Sequence, residues 1–274
     1  MANVFQDDFS KLEYEGWTKV ADLYDQTWSN LTRQFIEPLL NAVGIKAGMN
    51  VLDVACGPGY VSEAIHLRNA VPVGVDFSSS MINIAQKLYT LLEFVEGDAQ
   101  ALDFADESFD AVVMNFGMLH LSKPESAITE ANRVLKTGGS FGFTIWAGPD
   151  KSPAANVMFN NIMKHADKNV NMPEAPPSYY FSDEKLTTDL LKKHGFEDVS
   201  FVDHLVEWVV PSAQFLFETE MNAGVRTGSF LKRQSSETLA KIKADVVDGM
   251  EKFREGDHYR LKFCGCIVAG KKKQ

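Results

Sequence analysis

The sequence predicts an α/β fold built around a mostly parallel sheet. Between residues 50 and 146, short apolar runs of strand length alternate with segments whose apolar residues recur at helical spacing. The first of these runs ends in a tight glycine turn, Cys56-Gly57-Pro58-Gly59. The composition, with 45% apolar and 23% charged residues in 274, is that of an ordinary globular protein. A chain of this length is expected to form one large domain or a domain with a substantial insertion.

The N-terminal part of the chain is expected to be helical. Over residues 17–43, apolar side chains recur three or four positions apart, as in Trp17, Tyr24 and Leu31. Gly44 follows at the point where a helix would stop. We therefore expect N-terminal helices that end before the first strand.

The alternating region resolves into five strands and three helices. Residues 50–55, 71–76, 92–96, 111–115 and 139–146 are predicted as strands, and residues 61–67, 79–89 and 125–135 as helices. Strands that alternate with helices indicate βαβ units, in which helices cover both faces of a parallel sheet.

The pattern changes after Gly148. Residues 148–180 are rich in proline, asparagine and methionine, with one helix expected at 155–165. A helix at 183–194, a strand at 198–210, a helical region at 212–255 and a strand at 260–269 follow. We interpret residues 148–180 and 211–256 as insertions into the α/β sheet rather than as a separate domain.

Composition and charge argue against several classes of protein. The N-terminus has early acidic residues and no apolar run, so no secretory signal is expected, and no stretch reaches the ~20 apolar residues of a membrane span. Three cysteines are too few for a disulfide framework, so a reducing cytoplasm is the expected location, and no metal-ligand set is expected. The net charge of −10 disfavours a nucleic-acid partner.

The glycine turn is an ambiguous nucleotide-binding signal by itself. A Gly-x-Gly turn between a strand and a helix permits close approach of the backbone to a ligand. A dinucleotide fingerprint requires a third glycine at position 62, where Ser62 stands, and no Gly-Lys-Ser/Thr follows as in a phosphate-binding loop. A plain tight turn is the alternative.

Three acidic residues make the signal more specific. Asp53 lies inside the first strand, where burial of a carboxylate is costly unless it meets donors or a cation. Asp76 ends the second strand, where it can accept both hydroxyls of a ribose, and Asp98 follows the third, where it can accept an exocyclic amine. All three fall at the carboxyl ends of parallel strands, the edge at which open α/β sheets bind ligands.

The chain resembles the class I S-adenosylmethionine (SAM)-dependent methyltransferases. The resemblance is carried by five stretches in the family's order: VLDVACGPGY, VGVDFSSSMI, FVEGDAQALDF, SFDAVVMNFGMLHL and ITEANRVLKTGGSFGFTIW. It is greatest to the branch with the ubiquinone/menaquinone-biosynthesis and small-molecule methyltransferases. It implies a Rossmann-like, seven-stranded, mostly parallel sheet with an antiparallel last strand, forming one methyltransferase domain over residues 1–274. It also implies an N-terminal helical lid at 1–44 and a helical cap from the two insertions.

The same resemblance implies roles for the residues that match these motifs. Each contacts one part of SAM: Ala55, Gly57 and Gly59 the methionine part, Asp76 the ribose, Phe77 and Met81 the adenine face, Asp98 and Ala99 the adenine edge, and Asn115 the sulfonium region through its main chain. Cys56 is expected to be a packed small residue rather than a nucleophile.

Methyl transfer from SAM depends mainly on positioning, and a general base is needed only when the acceptor is protonated. His120 is the candidate base, with a structural or gating histidine as the alternative. Tyr24 and Trp28 are candidates for a lid near the sulfonium, or for core packing. Arg33 is a candidate partner for the SAM carboxylate, although a solvated charge on a helix face is the simpler interpretation.

The insertions carry many aromatic and methionine side chains, which favours a small apolar or aromatic acceptor. The alternatives are a nicotinamide-dependent oxidoreductase, a SAM-binding protein that runs no methyl transfer or another reaction in the same pocket, and a protein or RNA methyltransferase. Ser62 and Asp53 count against the first, and the acidic charge counts against the last. The sequence does not predict the oligomeric state.

Overall fold

The computed structural model describes residues 7–274. Residues 1–6, the start of the lid expected at 1–44, lie outside the described residues. The helices of the described part are α1 Asp8–Gln26, α2 Ser29–Thr32, α3 Ile36–Val43, α4 Tyr60–Leu67, α5 Ser79–Leu88, α6 Pro124–Val134, α7 Pro153–His165, α8 Glu184–Lys193, α9 Phe215–Ala223, α10 Arg226–Lys232 and α11 Ser236–Met250. Its strands are β1 Asn50–Val54, β2 Val71–Asp76, β3 Glu93–Glu96, β4 Phe109–Asn115, β5 Leu135–Trp146, β6 Phe196–Val210, β7 Arg254–Glu255 and β8 His258–Lys272.

The strands form one sheet in the order β3-β2-β1-β4-β5-β8-β6, and the short β7 pairs with β8. The pairs from β3 through β5 are parallel, whereas β8 runs antiparallel to β5. The expected mostly parallel sheet with an antiparallel last strand is confirmed. Because the chain moves from β1 outward to β3 and then returns to β4 on the other side of β1, the sheet has a switch point beside β1.

The interior strands are apolar because both faces of the sheet are covered. In β1, the four residues after Asn50 are buried, and in β4 every residue except Asp110 and Asn115 is buried. Continuous burial of this kind is typical of a parallel strand beneath helices on both faces. The helix that precedes the sheet, α3, ends at Gly44 in the left-handed region with φ 78°, which is the expected stop.

The N-terminal helices of the structure differ in two ways from the helical region predicted at 17–43. Helix α1 begins earlier, at Asp8, where the Asp7 carboxylate caps the Ser10 amide at 2.7 Å. It also ends at Gln26, because the Thr27 hydroxyl donates to the Leu23 carbonyl at 2.7 Å and the Thr27 backbone leaves helical geometry. A threonine side chain that bonds the backbone in this way competes with helix continuation.

The described residues divide into two compact units. The sheet unit comprises Thr32–Trp146, Ala175–His204 and Gly265–Gln274. The helical unit comprises the described residues up to Leu31 together with Ala147–Glu174 and Leu205–Cys264. The boundary at Leu31 places α3 in the sheet unit. The lid role of residues 1–44 and the cap role of the two insertions stay predictions.

Within the helical unit, α1 packs on α9 and α10, and α7 packs on α11. A Cβ added to Gly16 would clash with the Val225 side chain, so the absence of a side chain permits close contact there. His165 Nε2 lies 2.7 Å from the Asp245 carboxylate and joins α7 to α11. Within residues 7–274, no helix is both long and apolar enough to span a bilayer.

Candidate functional site

The glycine turn follows β1 directly and has unusual backbone geometry. Ala55, Gly57 and Gly59 all have left-handed backbones, with φ of 54°, 51° and 88°. A Cβ added to Gly57 would meet nothing within 4 Å, whereas one added to Gly59 would lie 2.7 Å from the Phe94 ring. Gly57 therefore faces open space and Gly59 permits tight packing. A left-handed alanine is uncommon outside sites where the surrounding structure imposes it.

Asp53 lies in β1 with no exposed surface. Its Oδ2 accepts a hydrogen bond from the Ser62 hydroxyl at 2.7 Å, and its Oδ1 has no hydrogen-bond partner. Burial raises the pKa of the carboxyl to about 7, and the Ser62 hydroxyl acts in the opposite direction. An unpartnered buried carboxylate oxygen requires a donor or a cation, which is what the ammonium of a methionine moiety supplies. The residues present fit SAM in this respect.

Asp76 ends β2 and ties that strand to the glycine turn. One carboxylate oxygen accepts the Gly57 amide and the other accepts the Ser78 amide, each at 2.9 Å. Burial raises its pKa to about 6, while the Ser78 and Gly57 amides and the charge of His120 lower it. Each carboxylate oxygen can accept a second hydrogen bond, so Asp76 retains the capacity to bind a pair of hydroxyls.

Phe77 and Met81 follow Asp76 at the start of α5. Phe77 is half-buried and Met81 is buried, with its amide donating to the Ser78 hydroxyl at 3.4 Å. The Ser78 side chain thereby caps the helix that carries Met81. In sequence, Phe77 directly follows Asp76 and Met81 comes in the first turn of the helix after it.

Asp98 and Ala99 follow β3 on the next loop. The Asp98 Oδ1 accepts the backbone amide of Gln100 at 2.8 Å, and Ala99 is buried. An isolated bridge between Asp98 and Ala101 closes the loop. The loop is therefore a compact turn at the carboxyl end of β3.

Asn115 ends β4 with its side chain engaged by the protein. Its Nδ2 donates to the Thr32 carbonyl at 3.2 Å, and its Oδ1 accepts the Thr144 hydroxyl at 2.7 Å. The same hydroxyl accepts the Phe116 amide at 2.9 Å, and Phe116 has a left-handed φ of 56°. These bonds occupy the Asn115 side chain within the protein, and the contact of its main chain with the sulfonium region stays a prediction.

His120 closes a short 3₁₀ helix, Met118–His120, just after β4. Its side chain is half-buried, and its amide donates to the Gly117 carbonyl at 3.0 Å. The structure thus brings His120 to the same edge of the sheet as the three acids.

Tyr24 lies on α1 in the helical unit, where its ring meets the edge of Trp17 with centroids 5.6 Å apart. Trp28 packs against Trp208 in the same unit at 5.5 Å. This contact agrees with the core-packing alternative for the half-buried Trp28, and the lid roles of Trp28 and Tyr24 stay predictions. Cys56 is buried with Ile82 and Phe94, and burial raises the pKa of its thiol.

Sequence reasoning missed Tyr60 and left Arg33 undecided. Tyr60 follows the glycine turn directly, and the Arg33 guanidinium lies over its ring, 4.4 Å from the centroid. The position of this tyrosine, directly after Gly59, could have indicated that its ring lies beside the turn. The stacking places this exposed cation beside the turn, and its role as a partner of the SAM carboxylate stays a prediction.

Comparisons with known proteins agree with this geometry. Residues 52–143 match the model of a methyltransferase domain family. A demethylmenaquinone methyltransferase of Renibacterium salmoninarum is 32% identical over 195 residues, which span 66% of this chain and 82% of that protein. The chain belongs to the class I SAM-dependent methyltransferases.

Further relatives of this methyltransferase differ in their named acceptors. A sterol 24-C-methyltransferase of Candida albicans is 28% identical over 231 residues, 74% of this chain and 60% of that protein. The solved structure of a Haemonchus contortus phosphoethanolamine N-methyltransferase with S-adenosylhomocysteine (SAH) matches with a TM-score of 0.54 at 18% identity. That match covers 88% of this chain and 53% of the other, and at this identity it shows the fold alone. The chain is a SAM-dependent methyl-transferring enzyme.

Proposed function

We propose that this methyltransferase transfers the methyl group of SAM to a small apolar or aromatic acceptor. The binding of SAM is supported mainly by the buried Asp53 Oδ1, an acceptor atom without a hydrogen-bond partner. It lies next to a backbone turn that faces open space. SAM, when bound, supplies a methyl group on a sulfonium that is already a good leaving group. The chain's task is then to bind, orient and exclude water.

The proposed cofactor contacts follow the edge of the sheet. Asp53 receives the cationic part of the methionine moiety, and the backbone of Ala55, Gly57 and Gly59 permits its close approach. Asp76 accepts the ribose hydroxyls with the lone pairs that its two backbone donors leave open.

The remaining proposed contacts complete the same edge. Phe77 and Met81 pack on the adenine, Asp98 and Ala99 contact its edge, and the main chain of Asn115 lies below the sulfonium. Arg33, stacked on Tyr60 beside the turn, meets the carboxylate. Tyr24 stays in the proposal as a residue of the lid.

The apolar acceptor is supported by aromatic side chains and by the relatives. Trp146 ends β5, is half-buried, and stacks on Phe116 with centroids 4.1 Å apart. This pair lies at the carboxyl ends of β4 and β5, beside Asn115, where a planar ring could pack with favourable geometry. The named acceptors of two relatives, a demethylmenaquinone and a sterol, are of this class.

His120 is the proposed base for an acceptor atom that carries a proton. The imidazole would take the proton that the acceptor atom loses as it is methylated, while bound SAM would supply the methyl group and leave as SAH. An acceptor that is already deprotonated would need only the positioning.

A turnover screen read by SAH release tests the proposal. Phenols, quinols, sterol-like acceptors and amines are offered with saturating SAM, and we expect turnover with quinols or sterol-like molecules. Release with amines alone would contradict the acceptor class. Tight SAM binding with no turnover on any acceptor would favour a different reaction in the same pocket.

A further inference from the structure

The side chain of Gln100 joins two loops at the candidate cofactor site. Its Nε2 donates to the two oxygens of Asp98 at 3.2 and 3.4 Å. Its Oε1 accepts the Lys123 backbone amide at 2.6 Å and the Ser122 hydroxyl at 3.3 Å. One half-buried amide thus joins the loop after β3 to the segment that precedes α6. Ser122, in that segment, is 22 residues from Gln100 in the sequence.

The two loops have different proposed tasks. The first, residues 97–101, carries the Asp98 carboxylate proposed to read the adenine. The second, residues 117–123, runs from Gly117 through His120 to Lys123, and its last residue is the N-cap position of α6. Ser122 lies two residues after the candidate base.

The planar amide makes the two contacts dependent on each other. Donor and acceptor lie on one rigid group, so a rotation or shift that improves the bond to Asp98 also moves the oxygen that holds Lys123. A group that binds Asp98 therefore acts on the second loop through Gln100. Catalytic groups need support of this kind to be held at productive distances.

We propose that Gln100 is a positioning residue that couples adenine binding at Asp98 to the ordering of the His120 loop. The inference rests on the proposed cofactor site and adds to it a link between cofactor binding and the acceptor side. A purely structural role would be limited to fixing the start of α6.

Hydrogen exchange with SAH as the probe separates these roles. In the wild-type chain, SAH should slow amide exchange in residues 97–101 and also in residues 117–123. Gln100→Met, close in length but without the amide, should bind SAH about 3- to 10-fold more weakly, because Asp98 loses the donor that holds it in place and its own hydrogen bond to the ligand is weakened. It should also lose the SAH-induced slowing in residues 117–123.

Two further variants make the result specific. Gln100→Glu keeps an acceptor for the Lys123 amide but places a carboxylate oxygen where the donor to Asp98 was, so SAH affinity should fall while residues 117–123 stay protected without ligand. Gln86→Met is the matched control, since the Gln86 side chain donates to the Phe94 carbonyl at 3.1 Å away from both loops. It should keep the full SAH response.

The outcomes are distinguishable. A Gln100→Met chain that keeps wild-type affinity and the SAH-induced slowing at 117–123 would overturn the coupling. The coupling would also be overturned if residues 117–123 of Gln100→Met exchanged faster than in the wild type by the same factor with and without SAH. That result would describe a structural role only. Failure of the wild-type chain to bind SAH would instead overturn the proposed cofactor site, and the inference with it.

Discussion

Asp53→Asn should stabilise the cofactor-free protein at pH 8 and at the same time weaken SAM binding. The buried carboxyl has a pKa of about 7 against an ordinary 3.8. Ionising it in the folded protein therefore costs about 4 kcal/mol at pH 8, at about 1.4 kcal/mol per pKa unit. Asparagine removes that charge but leaves one buried amide group unpaired, at a cost of about 1–3 kcal/mol. The expected net gain at pH 8 is about 1–3 kcal/mol.

The sign of the pH dependence follows from proton binding. Between pH 4 and 7 the folded chain holds a proton on Asp53 that the unfolded chain has released, so this group's contribution to stability falls as pH rises through that window. Asparagine does not titrate. The difference in free energy of unfolding between Asp53→Asn and the wild type should thus fall by about 3 kcal/mol from pH 8 to pH 5.

Urea unfolding of the cofactor-free proteins at pH 5 and pH 8 measures this difference. Asp103→Asn, at an exposed position of the same unit, is the matched control and should change stability by no more than about 0.5 kcal/mol at either pH. If Asp53→Asn destabilises the protein equally at both pH values, the account of Asp53 as a buried, uncompensated carboxyl is wrong. Isothermal titration with SAH should show weaker binding by the same variant.

Four further substitutions test separate parts of the site, and Gly44→Ala serves as the control for the first of them. Gly57→Ala and Gly44→Ala should each cost about 1 kcal/mol in urea unfolding, because both glycines have left-handed backbones with open space around the added Cβ. Only Gly57→Ala should weaken SAH binding in a titration, and equal affinities would argue against cofactor approach at the turn. Arg33→Ala should raise the Kd for SAM about 3- to 10-fold through loss of a charged hydrogen bond, while Kd for a decarboxylated SAM analogue stays unchanged. His120→Ala should lower kcat by about 100-fold or more with a protonated acceptor at saturating substrate, and a near-normal rate rules out the base. Trp146→Leu should raise the acceptor KM about 2- to 10-fold without changing SAH affinity, and a change in SAH affinity alone would contradict its place on the acceptor side.

The sheet was predictable because each of its central strands corresponds to a short apolar run in the sequence. The five predicted strands from residue 50 to residue 146 all form, β2 with the predicted bounds and the other four with one end shifted by one to four residues. The strand predicted at 260–269 also forms but begins earlier, at His258, because β8 pairs with β7 across a turn at Gly256, which has a left-handed φ of 64°.

The site was predictable to the extent that its residues follow strand ends. Asp53 and Asp76 lie at the same edge of the sheet because adjacent parallel strands place their carboxyl ends there. Local pattern carried no information on side-chain bonds between distant loops. Gln100 meets Lys123 through a turn and a helix start that are far apart in sequence, and Arg33 meets Tyr60 only because the fold of the sheet unit brings them together.

Titration of SAH into the wild-type chain and into Asp76→Ala tests the central claim most directly. The account predicts saturable binding of one SAH per chain by the wild type, and affinity lower by about 10-fold or more in Asp76→Ala, since a carboxylate that bonds two hydroxyls is lost. Asp103→Asn should bind as the wild type does. No binding by the wild type, or equal binding by Asp76→Ala, would contradict a cofactor site at the carboxyl ends of β1 and β2.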